Sequence, residues 1–151
     1  MSGYAYLQAD SLTMGLGILA GLVWTRRTGW GCGGIITPGL LALYAAEPVR
    51  AAAILGVGLI LAPPVGLAAK VFGLYGRERI GAAMLLAIFA GALLSQASLP
   101  METHWAGWVV PGLIAADVDR QGAAMTLTGA VSCAAATAFG LGALVWLGSL
   151  I

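Results

Sequence analysis

The chain has 151 residues, 60% of them hydrophobic and only 9% charged, with a mean hydropathy of +0.96. An ordinary soluble domain has about 25% charged residues, and a protein with so few charges could not cover its surface in water. The composition therefore predicts an integral membrane protein. A net charge of +1, with no basic tract interleaved with aromatic residues, argues against a nucleic-acid partner.

The sequence also lacks the common signatures of catalysis. It contains no GxxxxGK(S/T), GxSxG or HExxH motif, the patterns of nucleotide binding, an acyl-transfer serine and a zinc site. Cys32 and Cys133 belong to no CxxC or Cys/His cluster and lie among apolar residues, which favours buried thiols over metal ligands. We therefore expect no metal or cofactor in this chain and no enzymatic activity of the chain alone.

Four apolar runs approach the length of about 20 residues that crosses the hydrocarbon core of a membrane. They predict helices at residues 11–25 (extending to about 5–27), 51–69, 80–98 and 122–151. No Lys or Arg precedes the first run, which favours a retained helix over a cleaved signal peptide. A charged turn at 74–79 separates the second and third helices, and a loop at 99–106 carries Glu102 and His104.

A nine-residue element occurs twice, as GIITPGLLA at 34–42 and as GWVVPGLIA at 107–115. Five of its nine positions are identical, and Pro38 and Pro111 are 73 residues apart. Proline removes a backbone donor, and glycine permits dihedral angles that other residues avoid. We therefore expect a helix to break at each Pro-Gly pair.

The long helices follow the same period, so the chain is predicted to contain two copies of one unit. Each unit is a long helix, a broken Pro-Gly segment and a second long helix, at about 5–73 and 78–151 of a single membrane domain. The predicted fold is an all-α integral membrane protein with four long helices and two short broken segments. Internal repeats with broken segments are common in membrane transport folds.

Positive charge predicts the orientation of these units, because Lys and Arg favour the cytoplasmic side. Arg26 and Arg27 form one basic cluster, and Lys70, Arg77 and Arg79 form another. Both clusters can be cytoplasmic only if the first Pro-Gly segment crosses the membrane as well as the second helix. This predicts two inverted repeats of three crossings each, with both termini outside. The alternative is a re-entrant Pro-Gly segment and four true spans, since about 12–15 residues are short for a crossing.

A few ionisable residues are candidates for a functional site. Asp117 and Asp119 are two residues apart and would not face each other on a helix, so capping and orientation are their expected roles. Arg50 and Arg120 follow the two prolines by 12 and 9 residues. Arginines at such positions either bind carboxylate or phosphate in bidentate fashion or anchor helix ends at the headgroups. His104 is expected to be a solvated loop histidine.

Several motifs of the chain form a recognisable combination. They are the two Pro-Gly elements, the turn LYGRER at 74–79 leading into GAAM, and VPGLIA followed by DRQG at 119–122. Together they resemble the PgsC/CapC family of poly-γ-glutamate biosynthesis proteins. The resemblance extends over nearly the whole chain, including its length.

The resemblance implies a multi-pass subunit of a poly-γ-glutamate synthase in the plasma membrane. Its partners would be a PgsB/CapB-like ATP-dependent amide ligase, which would carry the ATP and the divalent metal, and a PgsA/CapA-like protein implicated in export. The product would be an anionic polyglutamate, although the high Ala and Gly content of this chain leaves the polymer open. A chain of this size makes a thin wall for a polymer path, so we expect a hetero-complex or an oligomer.

The residues and the resemblance together suggest two hypothetical sites. The ligase would dock on the turn that carries Tyr75, Arg77 and Arg79. The polymer path would lie between the repeats, near Pro38, Gly39, Pro111, Gly112 and Asp117, and would be guided by Arg50 and Arg120. Two other interpretations remain open, an independent small-molecule transporter or channel and a scaffold that only stabilises the ligase at the membrane.

Overall fold

A computed structural model describes residues 2–96 and 107–148 of the chain. These residues form six α-helices and one short 3-10 turn, and they contain no strand. The elements are α1 (Ser2–Thr28), α2 (Thr37–Leu43) with the 3-10 turn Tyr44–Ala46, α3 (Pro48–Phe72), α4 (Arg77–Gln96), α5 (Val109–Gln121) and α6 (Ala123–Gly148). The prediction of an all-α fold with four long helices is confirmed.

The helix bounds differ modestly from those predicted. α4 begins at Arg77, inside the predicted charged turn, where Glu78 in its first turn complements the helix dipole. The loop at 99–106, with Glu102 and His104, lies outside the described residues, as do the last residues of the chain. Nothing in the structure therefore tests the prediction for His104.

The prediction that helices break at the Pro-Gly pairs is wrong. Pro38 is the second residue of α2 and Pro111 is the third residue of α5, so both prolines lie in the first turn of a helix. Proline is well tolerated there because the first backbone N–H groups of a helix have no partner within the helix. The non-helical backbone instead precedes α2, at residues 29–36, where Gly33 and Gly34 have φ angles of 77° and 104°.

The two short helices, α2 and α5, form the middle of the bundle. α2 packs against α1 and α6, whereas α5 packs against α3 and α4. Glycines bring the backbones together, since a Cβ built on Gly17 of α1 would lie only 2.1 Å from the Cα of Gly39. In the same way, a Cβ on Gly112 would lie 2.8 Å from the carbonyl oxygen of Ala83 in α4. Each short helix therefore contacts the backbone of the long helix that precedes it.

Contacts along α5 give its direction relative to α4. Asp119 near the end of α5 pairs with Arg79 at the start of α4. Trp108, just before α5, lies against Gly91 in the second half of α4. The two helices are therefore antiparallel.

Six of the seven basic residues lie at one end of the bundle. The last turn of α5 meets the second half of α3 there, where Gly66 contacts Asp119. The chain leaving α1 joins them through a contact between Gly31 and Asp117. We call this the arginine end. Its basic residues are Arg26, Arg27, Lys70, Arg77, Arg79 and Arg120. The seventh, Arg50, lies at the start of α3, at the opposite end.

Two of the described helices, α3 and α6, are long and apolar enough to cross a membrane. The long helices also carry large apolar side chains on the outside of the bundle. Ile60 of α3 is 74% exposed, Leu85 of α4 is 69% exposed and Phe139 of α6 is 80% exposed. The outer surface of the bundle is therefore markedly apolar.

Candidate functional site

The residues between α1 and α2 enter the bundle rather than cover its end. We call residues 29–36 the glycine segment. Within it, Cys32 lies against α1, where a Cβ on Gly21 would be 3.1 Å from its sulfur, and against Gly129 of α6. Gly21 precedes the end of α1 at Thr28 by seven residues, about 10 Å at 1.5 Å per residue. Non-helical backbone thus lies about two helical turns inside the bundle.

Side chains from the end of α5 bind the backbone of the glycine segment. Oδ2 of Asp117 accepts hydrogen bonds from the N–H groups of Gly33 at 3.0 Å and Gly34 at 3.2 Å. The side-chain amide of Gln121 bonds Gly31 in both directions, accepting from its N–H at 2.8 Å and donating to its carbonyl at 2.6 Å. Buried backbone groups need such partners. The end of α5 therefore supplies the hydrogen-bond partners that this non-helical backbone lacks within its own segment.

Groups from the segment itself and from α2 complete this bonding. The hydroxyl of Thr37 donates to the carbonyl of Gly33, and the thiol of Cys32 donates to the carbonyl of Gly34 at 3.4 Å. Thr37 is fully buried at the start of α2. The backbone N–H and carbonyl groups of Gly31, Gly33 and Gly34 are thereby bonded to protein groups inside the bundle.

The glycines of the segment are needed for close approach to α5. A Cβ on Gly31 would lie 2.3 Å from Oδ2 of Asp117, and a Cβ on Gly33 would lie 2.9 Å from the side chain of Ile114. Gly33 and Gly34 also have positive φ angles, which side chains with a Cβ rarely adopt. Glycine is thus required here for both space and conformation.

The two aspartates of α5 point in different directions, as predicted from their spacing. Asp117 faces the glycine segment and also pairs with Arg120, whose guanidinium nitrogen lies 3.1 Å from Oδ1. Asp119 pairs with Arg79 of α4, and Gly66 of α3 leaves the space for its carboxylate, since a Cβ there would be 2.4 Å from Oδ1. Both aspartates hold neighbouring elements in place, which fits the predicted role of orientation.

A cavity of about 360 Å³ lies between α4 and α5 at the arginine end. We call it the arginine cavity. It is lined by Gly76, Arg77, Arg79, Ile80, Ala116, Asp117 and Arg120. A smaller cavity of about 180 Å³, next to the glycine segment, also has Asp117 and Arg120 in its lining. The Asp117–Arg120 pair therefore borders both cavities.

The structure changes the grouping of the predicted site residues. Arg77 and Arg79, predicted for ligase docking, share the arginine cavity with Asp117 and Arg120, predicted for the polymer path. Tyr75 is 80% exposed on the turn before α4. Two sites that the sequence kept apart are therefore neighbours.

The remaining path residues lie elsewhere. Pro38, Gly39, Pro111 and Gly112 are buried where α2 and α5 pack against the long helices, and none of them lines the arginine cavity. Arg50 is at the opposite end of the bundle, where its guanidinium lies 2.7 Å from the carboxylate of Glu47. Arg50 and Arg120 therefore lie at opposite ends of the bundle, and their predicted role along a polymer path stays a prediction.

Sequence reasoning missed the glycine segment and Gln121. The run WGCGG at residues 30–34 was the available signal, because glycines at this density favour a close backbone approach. Nothing local indicates the partner, since Gly31 and Gln121 are 90 residues apart. Gln121 stood only within a family motif and had no predicted role.

Comparison with known proteins extends over the whole of this site. The family model described as "Capsule biosynthesis CapC" matches residues 16–127. The chain is 31% identical over 128 residues to "Capsule biosynthesis protein CapC" of Bacillus anthracis and 32% identical over 130 residues to "PGA biosynthesis protein CapC" of Bacillus subtilis. Each match covers 81% of this chain and 86% of the relative. No solved structure matches the chain. The family model and both relatives agree, so the chain belongs to the CapC family of capsule biosynthesis proteins.

Proposed function

We propose that this protein is a membrane subunit of a poly-γ-glutamate synthase and export complex, in which an ATP-dependent amide ligase docks on the arginine end. The names of its relatives support a role in capsule or PGA biosynthesis. The observation that carries the proposal is the concentration of basic residues at one end of the bundle, with a cavity between three arginines. In this proposal the ligase holds the ATP and the divalent metal, and a CapA-like partner serves export.

The membrane arrangement that we propose is two inverted repeats, at about 5–73 and 78–151. The packing supports it, because α2 lies between α1 and α6 whereas α5 lies between α4 and α3. Exchanging the two units maps one set of contacts onto the other. The chain directions of the helices support the inversion as well, since α1 ends at the arginine end whereas its counterpart α4 begins there.

The hydrogen bonds of the glycine segment support a position for this segment inside the bilayer. α2 and its 3-10 turn span ten residues, only about 15 Å at 1.5 Å per residue, whereas the hydrocarbon core is about 30 Å thick. A crossing by this unit would therefore need part of the glycine segment. Non-helical backbone at membrane depth is tolerated only where protein groups or water satisfy it. Asp117 and Gln121 supply such groups.

The orientation follows from the charges. Among the described residues, the arginine end carries six basic side chains against three acidic ones, Glu78, Asp117 and Asp119. Basic residues favour the cytoplasmic side, which is also where an ATP-dependent ligase has its nucleotide. We therefore infer that the arginine end is cytoplasmic and that residues 44–47 face outside.

Cysteine labelling tests this arrangement in intact cells. We expect a membrane-impermeant maleimide to label Ala46→Cys without permeabilisation, and to label Arg27→Cys and Tyr75→Cys only after it. The native thiols give little background, because Cys32 is 2% and Cys133 is 3% exposed. If the Pro-Gly segment is re-entrant, Ala46→Cys will share the accessibility of Arg27→Cys and Tyr75→Cys will be on the opposite side, which would contradict the inverted repeats.

Charge reversal tests ligase docking. Arg77 is exposed and belongs to no ion pair within residues 2–96 and 107–148, so Arg77→Glu should leave the fold intact. Arginine is enriched among the interface residues whose loss costs about 2 kcal/mol or more, so we expect the affinity for the ligase, followed by its recovery in a mild-detergent pull-down, to fall by about 30-fold. Polymer yield from ATP and glutamate should fall with it.

Ala46→Glu is the control, because it places the same acidic side chain at the opposite end. We expect this variant to retain the ligase and the polymer yield. Unchanged association in Arg77→Glu would show that docking does not use this surface. A wild-type protein that purifies without any ligase or polymer would instead favour an independent transporter.

A further inference from the structure

We propose that the arginine cavity binds one carboxylate between Arg77 and Arg120, and that the carboxylate of Asp117 competes with the ligand for Arg120. This inference rests on the proposed function only for the identity of the ligand, a carboxylate of the growing γ-linked glutamate chain. The binding site itself is argued from the contacts of the cavity.

Arg120 is suited to exchange partners. Its side chain is 56% exposed, and the structure records one bond for its guanidinium within the described residues, from one nitrogen to Oδ1 of Asp117. A guanidinium can bind a carboxylate through two parallel N–H groups. The contact with Asp117 uses one nitrogen, so an incoming carboxylate can offer Arg120 a better geometry than its present partner.

Asp117 does not need Arg120 to stay in place. Its other oxygen, Oδ2, accepts the backbone N–H groups of Gly33 and Gly34. Successive N–H groups from residues with positive φ angles form a concave site for an anion. Arg120 can therefore leave Asp117 without releasing the glycine segment, and the carboxylate of Asp117 acts as an internal competitor.

The charge of the cavity favours one negative charge on the ligand. Arg79 is paired with Asp119, and both side chains are about one fifth exposed. Arg77, Arg79 and Arg120 with the two aspartates leave one net positive charge. A single carboxylate balances this charge, whereas a doubly charged phosphate exceeds it. The volume of about 360 Å³ lies at the lower end of known ligand pockets, at about 300–1,000 Å³.

The test is a titration of the full-length protein in nanodiscs of phosphatidylcholine, which carries no net charge. The probe is γ-linked triglutamate, and ligand-observed NMR measures its dissociation constant. We expect saturable binding that Arg77→Gln and Arg120→Gln each weaken by about tenfold or more, because each loses a charge-assisted contact. Lys70→Gln is the control, since it removes the same charge from the arginine end without lining the cavity.

Asp117→Asn distinguishes competition from a purely structural role. The asparagine oxygen still accepts hydrogen bonds from the glycine segment, but the competing charge is gone. We expect this variant to bind the probe several-fold more tightly. Equal or weaker binding by a folded Asp117→Asn would overturn the competition. Binding that does not depend on Arg77 and Arg120 would overturn the site.

Two further binding measurements identify the source of the anion. Inorganic phosphate that binds as tightly as triglutamate would overturn a carboxylate-specific site. Phosphatidylglycerol retained through Arg77, with no triglutamate bound in phosphatidylcholine discs, would assign the cavity to a lipid headgroup and overturn the inference. Ligase association is measured separately by pull-down. Loss of the ligase would therefore leave the carboxylate site standing, and loss of probe binding would leave the subunit role standing.

Discussion

Replacing Gly17 with alanine is expected to destabilise the fold by about 3 kcal/mol or more, the upper range for overpacking in a close-packed interior. The new Cβ would lie 2.1 Å from the Cα and 2.3 Å from the backbone nitrogen of Gly39. Both atoms belong to the backbone of α2, so no side chain can turn away to relieve the clash. α1 and α2 would have to separate.

A neighbouring glycine gives a matched control on the same helix. Gly15 has open space where a Cβ would be, and alanine is more favourable than glycine inside a helix by about 1 kcal/mol. Gly15→Ala should therefore be as stable as the wild type or slightly more stable. The measurement is the thermal midpoint of the purified protein in detergent, with the monodisperse yield. Equal midpoints for the two variants would contradict the close contact of α1 with α2.

Replacing Asp117 with alanine is expected to release the glycine segment. The N–H groups of Gly33 and Gly34 would lose their shared acceptor inside the bundle. Each buried unsatisfied group costs about 1–3 kcal/mol. We expect the thermal midpoint to fall and the Cys32 thiol, which is 2% exposed in the native fold, to become reactive. We also expect polymer yield to be lost, because residues of the released glycine segment line the smaller cavity together with Arg120.

The readout is maleimide modification of Cys32, located by mass spectrometry. Asp117→Asn is the matched control, because its side-chain oxygen still accepts hydrogen bonds, and it should keep Cys32 protected. A protected Cys32 in Asp117→Ala would show that Asp117 does not hold the segment. Cys32 exposure with an unchanged midpoint would indicate local opening of the segment alone.

The sequence by itself determined the class of the fold and the family. Apolar runs of about 20 residues with few charges favour helices, and four of them appear close to their predicted places. The combination of short motifs was sufficient to identify the CapC family. Helical periodicity alone also predicted that Asp117 and Asp119 point in different directions. The angle between two side chains around a helix depends only on their spacing in the sequence, and residues two apart do not share a face. The membrane crossings and the inverted repeats stay predictions.

The Pro-Gly pairs show where local reasoning failed. Proline ends a helix only when helical residues precede it, and it begins one equally well. At Pro38 the preceding glycine segment is held in a non-helical conformation by Asp117 and Gln121, which are distant in the sequence. Local propensity therefore left open whether a helix ends or begins at Pro38, and the tertiary contacts selected a helix that begins there.

Only the tertiary structure decided which residues form the site. Arg77 and Arg120 line one cavity because α4 and α5 are antiparallel and meet at the arginine end. Arg50 was excluded from it because α3 begins at the other end of the bundle. Gly31 and Gln121 bond across 90 residues, and neither residue type specifies such a partner. Backbone N–H and carbonyl groups can hydrogen-bond to any suitably placed polar side chain. The packing of α5 against the glycine segment, rather than the local sequence, therefore determines that Gly31 pairs with Gln121.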